Sequence, residues 1–129
     1  VVMAAATVMR LQTIVSREVD PRDVAVVTVG SIHAGLKNNI IPAEAKLELS
    51  LRYPDDEARA KVMQKVERIV RAEAQASGAE QEPVIAVDHS LPPTINDDEA
   101  TTRLSRAFDT AFGQQHRARV ARCTFEKTL

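Results

Sequence analysis

Residues Gly30 to Arg52, GSIHAGLKNNIIPAEAKLELSLR, decide how this chain reads. In the second half, Ala45, Leu47, Leu49 and Leu51 alternate with Glu44, Lys46, Glu48, Ser50 and Arg52. Such period-two patterning marks a strand with one face in the core and the other in water. The first half closes a β-branched run over residues 24–32. Its VAVVTV segment is apolar on both faces, which predicts a strand partly covered on each side. Gly35, Asn38, Asn39 and Pro42 punctuate the loop between them. The stretch is therefore a strand, a loop and a second strand, the latter ending in an arginine on its polar face.

Working outward, residues 1 to about 17 form a first helix. Val2, Ala5, Val8, Met9, Leu11 and Val15 cover more than one of its faces, so it is expected to pack on two neighbours. It opens in mid-helix with no cap, which reads as a piece cut from something longer, and Asp20-Pro21 breaks it. Downstream of the hairpin, Pro54-Asp55-Asp56 starts a second helix with carboxylates where the N-terminal dipole favours them. Val62, Met63, Val66, Ile69 and Val70 recur at helical spacing until Ser77-Gly78 stops it. Residues 84–87 read as a third short strand and Leu91-Pro92-Pro93 as a linker. Asn96 with Glu99 suggests a capping box for a last helix, with Leu104, Ala107, Phe108, Ala111 and Phe112 as its stripe and Gly113 as its end.

The order α-β-β-α-β, with one strand added in front, is the ferredoxin-like β-α-β-β-α-β motif. The expected fold is thus α+β, a ferredoxin-like sandwich lacking its first strand. It has an antiparallel sheet with two helices on one face, plus a C-terminal helix. Residues 1–90 form one incomplete unit and 91–129 a linker with the start of something further.

Composition narrows the function classes. With 17 basic and 18 acidic residues the net charge is −1, and aromatics make up 3% of the chain. Neither a basic surface nor a stacking face is present to suggest nucleic acid. The apolar N-terminal segment, interrupted by Arg10 and Gln12, is too short to span a bilayer and lacks the basic start of a secretory signal. The single Cys123 excludes an internal disulfide and favours a reducing, cytoplasmic setting.

Chemistry is sparse. His33, His89 and His116 share no metal-ligand spacing with one another or with Cys123. The acidic runs Asp55-Asp56-Glu57 and Asp97-Asp98-Glu99 sit where helices begin, and capping explains them. Ser16, Ser31, Ser50 and Cys123 have no neighbouring base. No catalytic and no metal-binding residue is assigned. Asn38, Asn39 and Arg52 remain. The asparagines serve either as turn formers or as amides for a ligand, and Arg52 is either a solvated strand-end charge or a fork for a carboxylate.

LQTIVSREVDP, followed by VVTVGSIHAG, NNIIP and ELSLR, resembles the lid or dimerisation domain of zinc-dependent aminoacylases. That family includes hippurate hydrolases, N-acyl-amino-acid amidohydrolases and carboxypeptidase G-type enzymes. The likeness runs from about Val1 to Val87, and PPTIND resembles the return into the catalytic domain. It implies that Asn39, within Asn39-Ile40-Ile41-Pro42, and Arg52 contact substrate. It also implies a small N-acyl amino acid as that substrate and two zinc ions (or similar divalent metals) in the parent enzyme, none of them bound by this chain. The partners it implies are the parent's catalytic domain and a second copy, met through the first helix and the edge strand 24–32. His33 is read as structural. RVARCTFEKTL, residues 119–129, departs from the family pattern.

Geometry constrains the two site residues. Extended, residues 44–52 cover about 30 Å, so Asn39 and Arg52 reach one small ligand only if the loop doubles back. The expectation is that Arg52 serves its own chain's site and Asn39 the partner's. Two rivals stay open: a stand-alone ferredoxin-like module that binds a small amino acid without catalysis, and a purely structural dimerisation fragment.

Overall fold

A computed structural model describes residues 1–92 and 94–113. Helix α1, Val2–Leu11, runs into a π-helical turn, Ile14–Glu18. Ala4, Thr7, Leu11 and Ile14 form its buried line at steps of three and four residues. The one hydroxyl on that line is satisfied locally, because Thr7 Oγ1 donates to the Met3 carbonyl at 2.9 Å. The opposite side stays open within this chain, with Val2 and Met9 largely exposed. Only one of the two apolar faces expected for this helix is therefore covered here.

The π turn places Glu18 against the second helix α2, Asp56–Ala76. Arg68 Nη2 donates to both Glu18 carboxylate oxygens at 2.7 Å, and Lys65 Nζ to one of them at 3.1 Å. These bonds, Arg68 first, hold the Glu18 carboxyl below its usual range. Together with Arg10 on Glu73 they fix α1 antiparallel to α2.

Asp55 caps α2 as its carboxylate accepts from the Ala58 N–H at 2.8 Å. Val62, Val66 and Ile69 form the buried stripe. At the far end Gly78 takes the left-handed conformation, φ 67°. Its N–H reaches the Gln75 carbonyl and the Ala79 N–H the Ala74 carbonyl. This Schellman arrangement satisfies carbonyls that the helix leaves without partners.

Between the helices the hairpin forms β1, Val26–Ala34, and β2, Ala45–Arg52, as an antiparallel two-stranded sheet. Leu49, Leu51 and Val27 point toward the helices and close a core with Leu11, Ile14, Tyr53, Val62, Val66 and Ile69. Both helices thus lie on one sheet face, and the α+β arrangement expected from the sequence is present. The other face is open, so β1 is covered on one side only within this chain.

Residues 84–87 do not join the sheet: Val84 is almost fully exposed and the segment has no ladder partner. The reason is topological. In the β-α-β-β-α-β order the absent first strand is central, and without it the last strand has no adjacent backbone to bond.

Helix α3, Asp98–Phe112, begins at a different cap from the one expected. Asp97, not Asn96, accepts the Ala100 N–H, at 2.7 Å. The carboxylate is the residue three positions before the donor, the geometry an N-cap requires. Gly113, φ 82°, ends the helix as its composition suggested. None of the α3 residues is buried, and Leu104, Phe108 and Phe112 each remain more than half exposed. His116, Cys123 and the divergent stretch 119–129 lie outside the described residues.

Candidate functional site

The open face of the β1–β2 sheet is built by the alternation that buries its other face. On β2, burying Leu47, Leu49 and Leu51 turns Lys46, Glu48, Ser50 and Arg52 outward. On β1 the alternation is interrupted. Val29 pairs with Leu49, but Ser31 pairs with Glu48, so Gly30 is an extra residue in the ladder. An uninterrupted count from Val29 would send Ser31 and His33 into the core and Ile32 to water. The bulge instead pairs Ile32 with Leu47 and His33 with Lys46. Thr28, Ser31 and His33 thereby share the open face with the four β2 residues.

The loop half of this face is internally satisfied. Ser31 Oγ donates to Glu48 Oε2 at 2.6 Å, and Lys46 Nζ donates to Glu48 Oε1 at 2.7 Å. Lys46 and then Ser31 hold the Glu48 carboxyl below its usual range, and Glu48 in turn raises Lys46. Sequence reasoning missed this cluster. The available signal was Gly30 inside a β-branched run, which marks a bulge.

Arg52 sits at the other end, exposed and paired with Val26. Its neighbour Leu51 is fully buried, so the guanidinium and the core lie on opposite faces. Asn39 occupies the connection between the strands. The Ile40 N–H to Lys37 carbonyl bond, 3.4 Å, makes Asn38 and Asn39 the central pair of a turn. Gly35, φ 78°, opens the loop with Pro42 against it, where an added Cβ would meet the proline ring at 3.5 Å. Asn39 faces an open cleft together with Val1, Met3, Ile41, Ser77 and Ala79, at the start of α1 and the end of α2.

The two candidate residues are therefore not brought together. Asn39 lies beyond the Ala34–Ala45 end of the ladder and Arg52 at the Val26 end. The seven steps from Ala45 to Arg52 alone span about 24 Å. Among the described residues, no group of three His, Cys, Asp or Glu side chains could hold a metal ion, and no helix is long and apolar enough to cross a membrane.

Residues 14–77, the π turn, hairpin and α2 together, match the family described as the peptidase dimerisation domain. The chain belongs to that family. It is 36% identical over 115 residues to hippurate hydrolase of Campylobacter jejuni, covering 88% of this chain and 29% of that protein. It is 37% identical over 103 residues to N-acyl-L-amino acid amidohydrolase of Geobacillus stearothermophilus, 80% of this chain and 27% of that protein. Against N-acetyldiaminopimelate deacetylase of Anoxybacillus flavithermus the identity is 46% over 71 residues, 55% of this chain and 19% of that protein. The chain thus spans less than a third of the length of these relatives. These relatives are hydrolases by name, and nothing among them favours a stand-alone amino-acid-binding module.

Proposed function

We propose that this chain is the lid and dimerisation part of a metal-dependent amidohydrolase that cleaves N-acyl amino acids, or related amides beside a carboxylate. The observation that carries the reading is the position of Arg52. It stands exposed on the open sheet face, back to back with the fully buried Leu51, on a domain whose named relatives act on N-acyl compounds. A guanidinium held on a rigid strand can form two parallel hydrogen bonds to a carboxylate. Asn39, on the loop at the opposite end, offers an amide to the acyl group in the site of a second copy. The exposed apolar side of α1 and the free edge of β1 support a homodimer as the assembly.

The parent's two zinc ions do not fit the described residues, which hold no suitable ligand cluster. In this reading bond cleavage belongs to the catalytic domain of the parent enzyme. Residues 91–129 are read as the linker and start of the catalytic domain, with the exposed stripe of α3 as the surface that domain covers. A reducing, cytoplasmic setting accompanies this reading.

A mixed dimer of the parent enzyme, one subunit Asn39→Ala and the other Arg52→Ala, tests the arrangement. If each site takes Arg52 from its own subunit and Asn39 from the partner, one site is intact and the other doubly damaged. Activity then recovers to about half that of the unaltered dimer, by the count of intact sites. If both residues serve one site, every site carries one defect and no recovery occurs, which rejects the sharing. The purified 129-residue chain with added zinc is expected to show no turnover of an N-acyl amino acid. Turnover would reject the division of labour.

A further inference from the structure

The loop between the strands holds large apolar side chains that this chain leaves in water. Leu36 and Ile41 are almost fully exposed and Ile40 more than half exposed, three aliphatic residues within six positions. The backbone that carries them has a defined course. Gly35 takes φ 78° with the Pro42 ring beside it, and the Ile40 N–H donates to the Lys37 carbonyl. An apolar cluster held outward by such a backbone marks a contact site. Leu36 and Ile40, with Pro42, Ala43 and Ala45, line a concavity of about 790 Å³ at the loop end of the open sheet face. Its volume is that of a small-molecule site, and its lining, mostly apolar with a few polar groups, has the make-up of one. Asn39 immediately precedes Ile40, so their Cα atoms stand about 3.8 Å apart. Ile40 and Pro42 line both this concavity and the cleft that Asn39 faces. A ligand held by the Asn39 amide therefore has the apolar wall next to it.

We propose that Leu36 and Ile40 are specificity-determining residues that receive the hydrocarbon of the acyl group, so that bulky apolar acyl groups, aryl or branched aliphatic, are preferred to acetyl. This rests on the reading of Asn39 given above. In that reading the Asn39 amide meets the acyl group, and the hydrocarbon attached to the acyl carbonyl is the part that falls on the neighbouring Ile40. That hydrocarbon gains from leaving water. Each methylene buried against the wall adds to binding, whereas acetyl has a single methyl to bury. A protein surface is the poorer occupant. A stable interface covers roughly 800 Å² on each partner, far more than one leucine and one isoleucine present.

The test uses the full-length parent enzyme with an N-benzoyl amino acid and with the N-acetyl derivative of the same amino acid. The readout is the ratio of kcat/KM for the two substrates, with the dimer fraction followed by size-exclusion chromatography. Leu36→Ala and Ile40→Ala each lower the benzoyl-to-acetyl ratio about tenfold, the scale of discrimination an apolar pocket gives. Leu36→Met keeps the apolar bulk and restores the ratio, which a merely structural role for the leucine would not produce. Asn39→Ala lowers kcat/KM for both substrates and leaves the ratio near its original value. If Asn39→Ala acts in that way but the Leu36→Ala/Ile40→Ala double variant keeps the ratio, this inference is overturned and the Asn39 reading stands. The same holds if the double variant lowers both substrates equally or lowers the dimer fraction instead, since the loop tip is then a subunit contact. If Asn39→Ala changes neither substrate, both are overturned.

Discussion

Leu51→Ala strikes the centre of the core. Leu51 is fully buried, pairs with Val27 across the ladder, and shares one cluster with Tyr53, Val62, Val66 and Ile69. Both helices and both strands close around that cluster, so the site has little freedom to collapse. Truncating a buried leucine costs about 2–5 kcal/mol, and a site walled by regular elements belongs near the middle, about 3 kcal/mol. A domain of this size has about 5–15 kcal/mol in total, so about a fifth or more of the stability is at stake. At about 4–8 °C per kcal/mol the midpoint should fall by about 12–24 °C. The matched control is Leu36→Ala, since Leu36 is fully exposed at the loop tip; it should stay within about 0.5 kcal/mol of the parent. Urea unfolding at fixed protein concentration, read by far-UV circular dichroism and by emission of the single buried tyrosine, Tyr53, measures both. A loss under about 1 kcal/mol for Leu51→Ala with unchanged denaturant slope, or an equal loss in Leu36→Ala, refutes the placement of the core.

Other outcomes follow from local features. The Glu18 carboxyl is held low by Arg68 and Lys65 in the folded chain, so its contribution is present above the ordinary glutamate range and disappears as pH falls through the lowered folded value. Acid unfolding should accordingly be shallower in Glu18→Gln, as followed by circular dichroism from neutral pH downward; an identical acid profile rejects the clasp. Asp55→Ala should cost about 1 kcal/mol through loss of the cap on α2, measured by denaturant midpoint, whereas Asn96→Ala should be silent because Asp97 caps α3. Gly35→Ala should destabilise, since its φ of 78° strains any side chain although Pro42 leaves ordinary contact room, while Gly30→Ala should be tolerated because its φ is not in that region and its added Cβ meets only the Glu48 carbonyl at 3.7 Å.

Much of the fold was legible because the patterns were strong. The leucine alternation of β2 and the Val62–Val66–Ile69 stripe of α2 appear as read, and the Asp55 start and Gly78 stop are the residues that end that helix. What was not legible depended on neighbours. Residues 84–87 have the composition of a strand, but a strand exists only where another backbone lies alongside, and sequence composition carries no information about that. Asn96 and Asp97 are both competent caps, and only backbone direction at the helix entrance chose between them. For the site, the outward position of Arg52 followed from period two. The Ser31–Glu48–Lys46 cluster did not, because a strict count through Gly30 puts Ser31 on the wrong face.

That extra glycine also governs how this domain should be compared with others. Removing Gly30 would restore strict alternation while leaving Val29 and Ile32 inward and Ser31 and His33 outward. A homologue one residue shorter at that point can therefore superpose on this sheet with every side chain on its present side. The same deletion at Ser31 would keep the count but strip Glu48 of its hydroxyl partner, and at Ile32 it would turn Ser31 toward the helices. One-residue length variation is structurally silent at a single position of β1, and an alignment that slides the gap past it will mispair the hairpin tip.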